Sequence, residues 1–163
     1  MRVLIVYRSK YGFTAERSRA LAQRITSECT VYDLAARGVP DPRNFDVVLV
    51  GGSIYGGKIQ REVSAFCDRY SPVLRERRVG LFISCLYEGD HARAQLQAAF
   101  PDWLTGHAFA AGLFGGEIRY RELGFLDRLL VRSVSPQFVD LSRRKPEALQ
   151  AMADAVNALP PGR

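Results

Sequence analysis

Short apolar runs alternate along this chain with stretches whose apolar positions recur at helical spacing. Val3-Leu4-Ile5-Val6-Tyr7, Thr30-Val31-Tyr32-Asp33-Leu34, Val47-Val48-Leu49-Val50, Val79-Gly80-Leu81-Phe82-Ile83-Ser84 and the segment from His107 to Phe114 read as strands. Helices are expected from Ala15 to Ser27, with Ala20, Leu21 and Ile25 in register, and from about Gln60 to Tyr70, with Val63, Phe66, Cys67 and Tyr70 on one face. Two more are expected, from about His91 to Phe100, stopped by Pro101, and from about Pro146 to Ala158, where Leu149, Met152, Ala153 and Val156 form the stripe. Arg37-Gly38-Val39-Pro40, the turn Asp41 to Asn44, Gly115-Gly116 and the tail Pro160-Pro161-Gly162 punctuate the pattern.

Apolar strands alternating with helices imply a parallel sheet covered on both faces. The expected fold is α/β and doubly wound, with five strands in the order 2-1-3-4-5. In that order ligands bind beyond the carboxyl ends of strands 1, 3 and 4, at the topological switch point. No repeat, low-complexity stretch or linker interrupts residues 1–163, so one domain is expected. Residues 117–136 are extra to that plan. Glu117 to Val134 reads as a loop and amphipathic helix inserted after the fifth strand, with Leu123, Leu126 and Leu130 on one side and Arg121, Arg128 and Arg132 opposite. Such a helix either packs on the domain with a solvated basic face, or meets a membrane surface or an acidic substrate.

Three loops fall where the fold binds ligands. The first, Ser9-Lys10-Tyr11-Gly12-Phe13-Thr14, joins a strand to a helix. Free amides of the helix's first turn, the macrodipole, two hydroxyls and a glycine that admits close backbone approach make an anion site there. The plainer reading is a βα turn with Thr14 as helix cap. The second loop, Gly51-Gly52-Ser53-Ile54-Tyr55-Gly56-Gly57, is expected to be flexible and offers one aromatic ring; the third, Cys85-Leu86-Tyr87-Glu88-Gly89-Asp90, offers another. A phosphate site beside two aromatic-bearing loops suits a phosphorylated, planar, conjugated cofactor, and flavin mononucleotide (FMN) is the natural candidate. The P-loop pattern and G-x-G-x-x-G are missing from the first loop. A phosphoryl-accepting receiver needs acids where the chain has Arg8, Ser9 and Gly51-Gly52.

Composition narrows the reading modestly. The 163 residues are 47% apolar and 25% charged, as in ordinary globular chains. Arginine supplies nearly all of the net charge of +6, since only Lys10, Lys58 and Lys145 are lysines. That balance suits nucleic acid, anionic lipid or an acidic ligand, or simply an arginine-rich solvated surface. Cys29, Cys67 and Cys85 form no CxxC or metal-ligand spacing and are expected as reduced thiols, Cys67 in the core; His91 and His107 match no metal motif. Arg2 leads straight into a strand without a signal-peptide pattern, so a cytoplasmic location is expected.

The S-x-x-G-x-T pattern of Ser9 to Thr14 and the order of elements resemble the flavodoxin superfamily. Within it, Gly51 to Gly57, Phe66, Ala111-Gly112-Leu113, Arg119-Tyr120-Arg121 and Phe125-Leu126-Asp127-Arg128 are similar to menaquinone-dependent protoporphyrinogen IX dehydrogenases and related small flavodoxin-domain proteins. In the second loop the chain has Tyr55-Gly56-Gly57 where that family carries a basic-aromatic-glycine run. The resemblance implies a flavodoxin-like fold and an FMN site. Ser9, Lys10, Tyr11, Gly12, Phe13 and Thr14 would hold the phosphate; Ser53, Ile54, Tyr55 and Gly56, with Ser84, Cys85, Leu86, Tyr87 and Gly89, would flank the isoalloxazine. It also implies an FMN-dependent oxidoreductase of haem biosynthesis, with a porphyrinogen as substrate and a quinone or redox protein as partner; the basic insertion, 117–136, suits peripheral contact at the inner face of the membrane. Arg119 and Arg121 are the candidates for substrate carboxylates. The alternatives are an electron carrier without a substrate of its own, and a flavin-free or membrane-associating regulatory module.

Overall fold

A computed structural model describes residues 1–132 and 139–161. Five parallel strands form the main sheet: β1 (Arg2–Arg8), β2 (Glu28–Asp33), β3 (Val47–Tyr55), β5 (Arg78–Ser84) and β6 (Ala110–Leu113). Their order is β2-β1-β3-β5-β6, and β4 (Lys58–Ile59) adds an antiparallel partner to the end of β3. In sequence terms the five parallel strands stand 2-1-3-4-5, as expected.

Alternate residues of each central strand enter separate cores, because successive side chains point to opposite faces. Leu4, Val6, Val48, Val50, Leu81 and Ile83 pack under α2 (Arg61–Arg69) and α4 (Gly89–Ala99), with Val63, Phe66, Cys67 and Leu96. Val3, Ile5, Val47, Leu49 and Phe82 pack under α1 (Phe13–Ala22) and α7 (Pro146–Asn157), with Leu21, Leu149, Met152 and Val156. Burial of these runs on both faces explains why they are apolar without alternation.

Several expectations are corrected. α1 runs from Phe13 to Ala22, not from Ala15 to Ser27. Tightened turns from Arg24 to Leu21 and Ile25 to Ala22 close it, and the amide of Thr26 donates to Asn157 of α7 (2.9 Å) instead of continuing the helix. The second loop is mostly strand: β3 continues to Tyr55, and Gly56 and Gly57, at φ 56° and 75°, turn it back into β4. Gly51 sits inside the strand because the Phe82 ring occupies the space of a side chain there; an added Cβ would lie 2.2 Å from it. A short helix α3 (Ser71–Leu74) follows α2, and α5 (Asp102–His107) takes His107 out of the fifth strand.

The insertion also departs from the expected loop and helix. β7 (Gly115–Ile118) pairs antiparallel with β8 (Leu141–Arg144), and between them lie a 3-10 turn (Tyr120–Glu122) and α6 (Phe125–Val131). The ribbon lies directly on the third loop, since a Cβ on Gly116 would meet the Cys85 carbonyl at 2.8 Å. Leu123, Ile118 and Val131 form a small third core. Leu126 and Leu130, expected to share a face with Leu123, are instead exposed, whereas Asp127 turns inward. The expected end of the insertion, residues 133–136, and Gly162 of the tail lie outside the described residues.

Candidate functional site

The carboxyl ends of β1, β3 and β5 converge on a cavity of about 340 Å³. Its floor is the first loop. Gly12 takes the left-handed conformation (φ 90°) that turns β1 into α1, and its amide donates to Ser9 Oγ (3.1 Å). Gly12, not Thr14, is the residue at the helix cap, and no side chain caps α1 among the described residues. The amides of its first turn therefore lack helical acceptors. Thr14 is wholly buried and its hydroxyl shares a hydrogen bond with that of Ser53 (2.9 Å), which joins the first loop to the second. The Ser53 amide donates to Gln60 Oε1 (3.0 Å).

Tyr55, at the tip of β3, stands edge-on to Tyr11, with ring centroids 5.8 Å apart. Burial, then the nearby Tyr11 and Asp127, pushes its phenol pKa above the usual range, so it stays a neutral ring at physiological pH. Across the cavity Tyr87 stacks on His91, with centroids 4.0 Å apart and planes 12° from parallel. Between them Ser84 Oγ and Gln95 Oε1, both buried in the cavity wall, have no hydrogen-bond partner among the described residues. Buried polar atoms are rarely left so, which makes both candidates for contact with the polar edge of a ligand.

The insertion forms the remaining wall through Gly116 to Arg119, Glu122, Leu123, Leu130 and Val131. Arg119 pairs with Glu117 (3.2 Å) and Glu122 (3.5 Å). Arg144 bridges the ribbon to α1 through Glu16, whose carboxyl is held below its ordinary pKa by hydrogen bonds from Arg144 and then Arg17. Asp127 binds the insertion to the first loop. It accepts from Lys10 Nζ (2.6 Å) and from the Tyr11 hydroxyl, which in turn accepts from the Gly124 amide (3.1 Å). Burial opposes the Asp127 charge, but the Lys10 and Tyr11 bonds outweigh it and keep the carboxyl below its usual value.

Of the residues singled out in the sequence, Ser9, Tyr11, Phe13, Thr14, Ser53 to Gly56, Ser84 to Tyr87 and Arg119 line this cavity. Lys10, Gly12, Gly89 and Arg121 do not: Lys10 reaches out to Asp127, and Arg121 is exposed on the 3-10 turn. Sequence reasoning missed His91, Gln95, Glu117, Ile118, Glu122 and Asp127. His91 and Gln95 stand four residues apart on α4, directly after the third loop, and that spacing was the available signal. Asp127 stands in a segment that carries the family resemblance, but as a lone acid in an apolar run it gave no sign of its partners in the first loop.

Among the described residues no cluster of metal-ligating side chains forms, and no helix is long and apolar enough to cross a membrane. The family model for the flavodoxin domain matches residues 4–137, and the chain belongs to that family. Similar solved structures include a flavodoxin from Streptococcus pneumoniae (18% identity, 97% of this chain, 99% of that one, TM-score 0.58). Another is the rubredoxin oxygen:oxidoreductase of Desulfovibrio gigas (18% identity, 97% of this chain, TM-score 0.50), of whose length this chain spans only 37%. A third is a flavoprotein from Lactobacillus acidophilus solved in complex with FMN (13% identity, 71% and 92% covered, TM-score 0.50). At these identities the likeness is one of fold. None of the curated proteins compared matches the chain.

Proposed function

We propose that this flavodoxin-domain protein is an FMN-dependent oxidoreductase, similar to protoporphyrinogen IX dehydrogenase, that moves electrons from an organic donor to a quinone. The observation that carries the reading is the insertion. It walls the switch-point cavity through Gly116 to Arg119, Glu122, Leu123, Leu130 and Val131, and a walled cavity suits a small-molecule substrate better than a docking protein. The Lactobacillus acidophilus neighbour's complex with FMN supports the choice of cofactor.

When bound, FMN supplies reversible uptake of a hydride or of electrons. The chain's own residues bind and orient. Ser9, Thr14 and the first-turn amides of α1 would hold the phosphate, as neutral donors at a helix N-terminus. Tyr55 and Tyr87 would flank the ring, and Ser84 and Gln95 would offer polar atoms to its edge. Ile118, Leu123 and Val131 exclude water from the insertion side. Arg119 lines the cavity but is paired with Glu117 and Glu122, so to receive a substrate carboxylate it would have to exchange one of these pairs.

The Streptococcus pneumoniae neighbour, itself a flavodoxin, favours the second reading, a carrier with no substrate of its own. Two measurements separate them. Flavin absorbance of the purified protein, or its uptake of added FMN, tests the cofactor; colourless protein that takes up none sinks both readings. Oxidation of protoporphyrinogen with a menaquinone analogue tests the enzyme; a rate no greater than that of free FMN rejects it and leaves the carrier.

A further inference from the structure

The helix α6 is amphipathic the wrong way round for a solvated element. At about 100° per residue, Phe125, Leu126, Leu129 and Leu130 fall in one arc and Asp127 and Val131 in the opposite one. The inner arc holds a carboxylate: Asp127 is 5% exposed, paired with Lys10 and Tyr11. The outer arc holds Phe125 at 77%, Leu126 at 72% and Leu129 at 48% exposure. Single exposed apolar residues are ordinary, but large ones gathered on one short helix mark an interaction surface.

The surrounding charge says what kind. Arg121 and Arg128 are exposed beside this arc, and neither pairs with a carboxylate among the described residues. Arg128 donates to the Arg121 carbonyl (3.4 Å) and lies over the Tyr120 ring (5.3 Å), which holds its guanidinium against the turn that carries Arg121. The nearest acids are already engaged, Glu122 by Arg119 and Asp127 by Lys10. Over the whole chain the net charge is +6. We propose that this face docks on an anionic phospholipid surface, with Phe125, Leu126 and Leu129 entering the headgroup–acyl boundary and Arg121 and Arg128 meeting lipid phosphates. Apolar wedges rimmed by arginine are what such a surface selects, since each cation near an anionic leaflet and each buried methylene adds to binding. An acidic protein partner would suit the arginines but would leave Phe125 and Leu126 unmatched. The Asp127 pin holds the wedge outward without a long helix.

Leu130 and Val131 of the same helix line the cavity, so docking brings its mouth to the lipid, where an apolar electron acceptor dissolves. That consequence rests on the oxidoreductase reading; the lipid contact does not. The test is co-sedimentation of the full, FMN-supplemented chain with sucrose-loaded vesicles of phosphatidylglycerol and phosphatidylcholine, against phosphatidylcholine alone. Wild-type protein is expected to pellet with the anionic vesicles, less so at high salt. F125S/L126S is expected to lower affinity at least about ten-fold, and R121Q/R128Q by about ten-fold or more. Unchanged FMN uptake by both variants shows that the fold is intact. Failure of the wild type to pellet at low salt overturns the proposal, as does F125S/L126S binding like wild type. So does a chain that self-associates, ignores vesicles and is dispersed by F125S/L126S, because the face then belongs to a second copy. Lipid binding with no FMN uptake counts against the proposed function and not against this surface.

Discussion

Replacing Asp127 tests whether one buried carboxylate holds the insertion on the first loop. In Asp127→Ala the Lys10 ammonium loses a partner 2.6 Å away and the Tyr11 hydroxyl loses its acceptor. A hydrogen bond to a charged group contributes about 1.5–3 kcal/mol. The Asp127 side chain is 7% exposed but Lys10 is 46% exposed, so water takes back part of that. Screening by the half-exposed partner brings the expected loss to about 1.5 kcal/mol, or roughly a ten-fold rise in the open population of α6. The loss is local, so trypsin cleavage after Arg121 and Arg128 and hydrogen exchange over 125–131 report it better than global unfolding does. In the Lys10→Met background the same substitution is expected to cost about 1 kcal/mol less, because paired groups are not additive. The pH dependence has a fixed sign. Because the folded pKa is depressed, the contribution is complete above the ordinary carboxylate value of about 3.9 and is lost as pH falls through the folded value. Protection from exchange over 125–131, taken relative to the unstructured rate at each pH, should therefore be flat from neutral pH through mild acid and fall only in strong acid, while trypsin, inactive in acid, reports the variant at neutral pH. Unchanged cleavage in Asp127→Ala, or strict additivity with Lys10→Met, would refute the pin.

Thr14→Val and Gly12→Val are each expected to weaken FMN binding strongly while the fold survives, the first by removing a buried hydroxyl and the second by forcing a β-branched residue to φ 90°; unaltered affinity in both, read by fluorescence titration, would misplace the phosphate site. Gln95→Leu with Ser84→Ala removes the two unpartnered polar atoms of the cavity. It should lower FMN affinity by about 2 kcal/mol in total while raising or sparing apo stability, and equal affinities would mean that no ligand group meets them. Gly51→Ala drives a Cβ into Phe82, itself wholly buried and stacked on Phe114. It is expected to cost about 3 kcal/mol by overpacking, visible as a lower Tm in calorimetry; an unshifted Tm would contradict the register of β3.

The parallel core was legible because its signal is local and doubled. Strands such as Val3 to Tyr7 and Val47 to Val50 are apolar throughout since both faces are covered, and the order of strands and helices then leaves few topologies. Three ligand-side loops followed from that order. What stayed hidden is set by partners distant in sequence. Gly51 and Gly52 look like loop residues until Phe82 and the Gln60 side chain are seen filling the space beside them. The β7–β8 ribbon is held by a backbone ladder, and Leu141-Ser142-Arg143-Arg144 carries no alternation that would announce it. The insertion misleads most: its wheel groups Leu123 with Leu126 and Leu130, yet Leu123 is buried and the other two are exposed, because which side of the helix faces inward is decided by Asp127 meeting Lys10, far back in the chain.

The direction in which Lys10 points bears on ionic strength. Arg8, at the end of β1, is likewise drawn off, toward Glu62 (3.3 Å) and Asp33 (3.9 Å), so neither it nor Lys10 lines the cavity. A phosphate bound there, as proposed, would meet dipoles and hydroxyls and neither of these two cations. Such contacts are short-ranged and poorly screened, in contrast to a lysine or arginine clamp. Cofactor affinity should then vary little with added salt, while the arginine-rimmed outer helix responds steeply. One molecule would thus carry two anion-binding surfaces that salt tells apart.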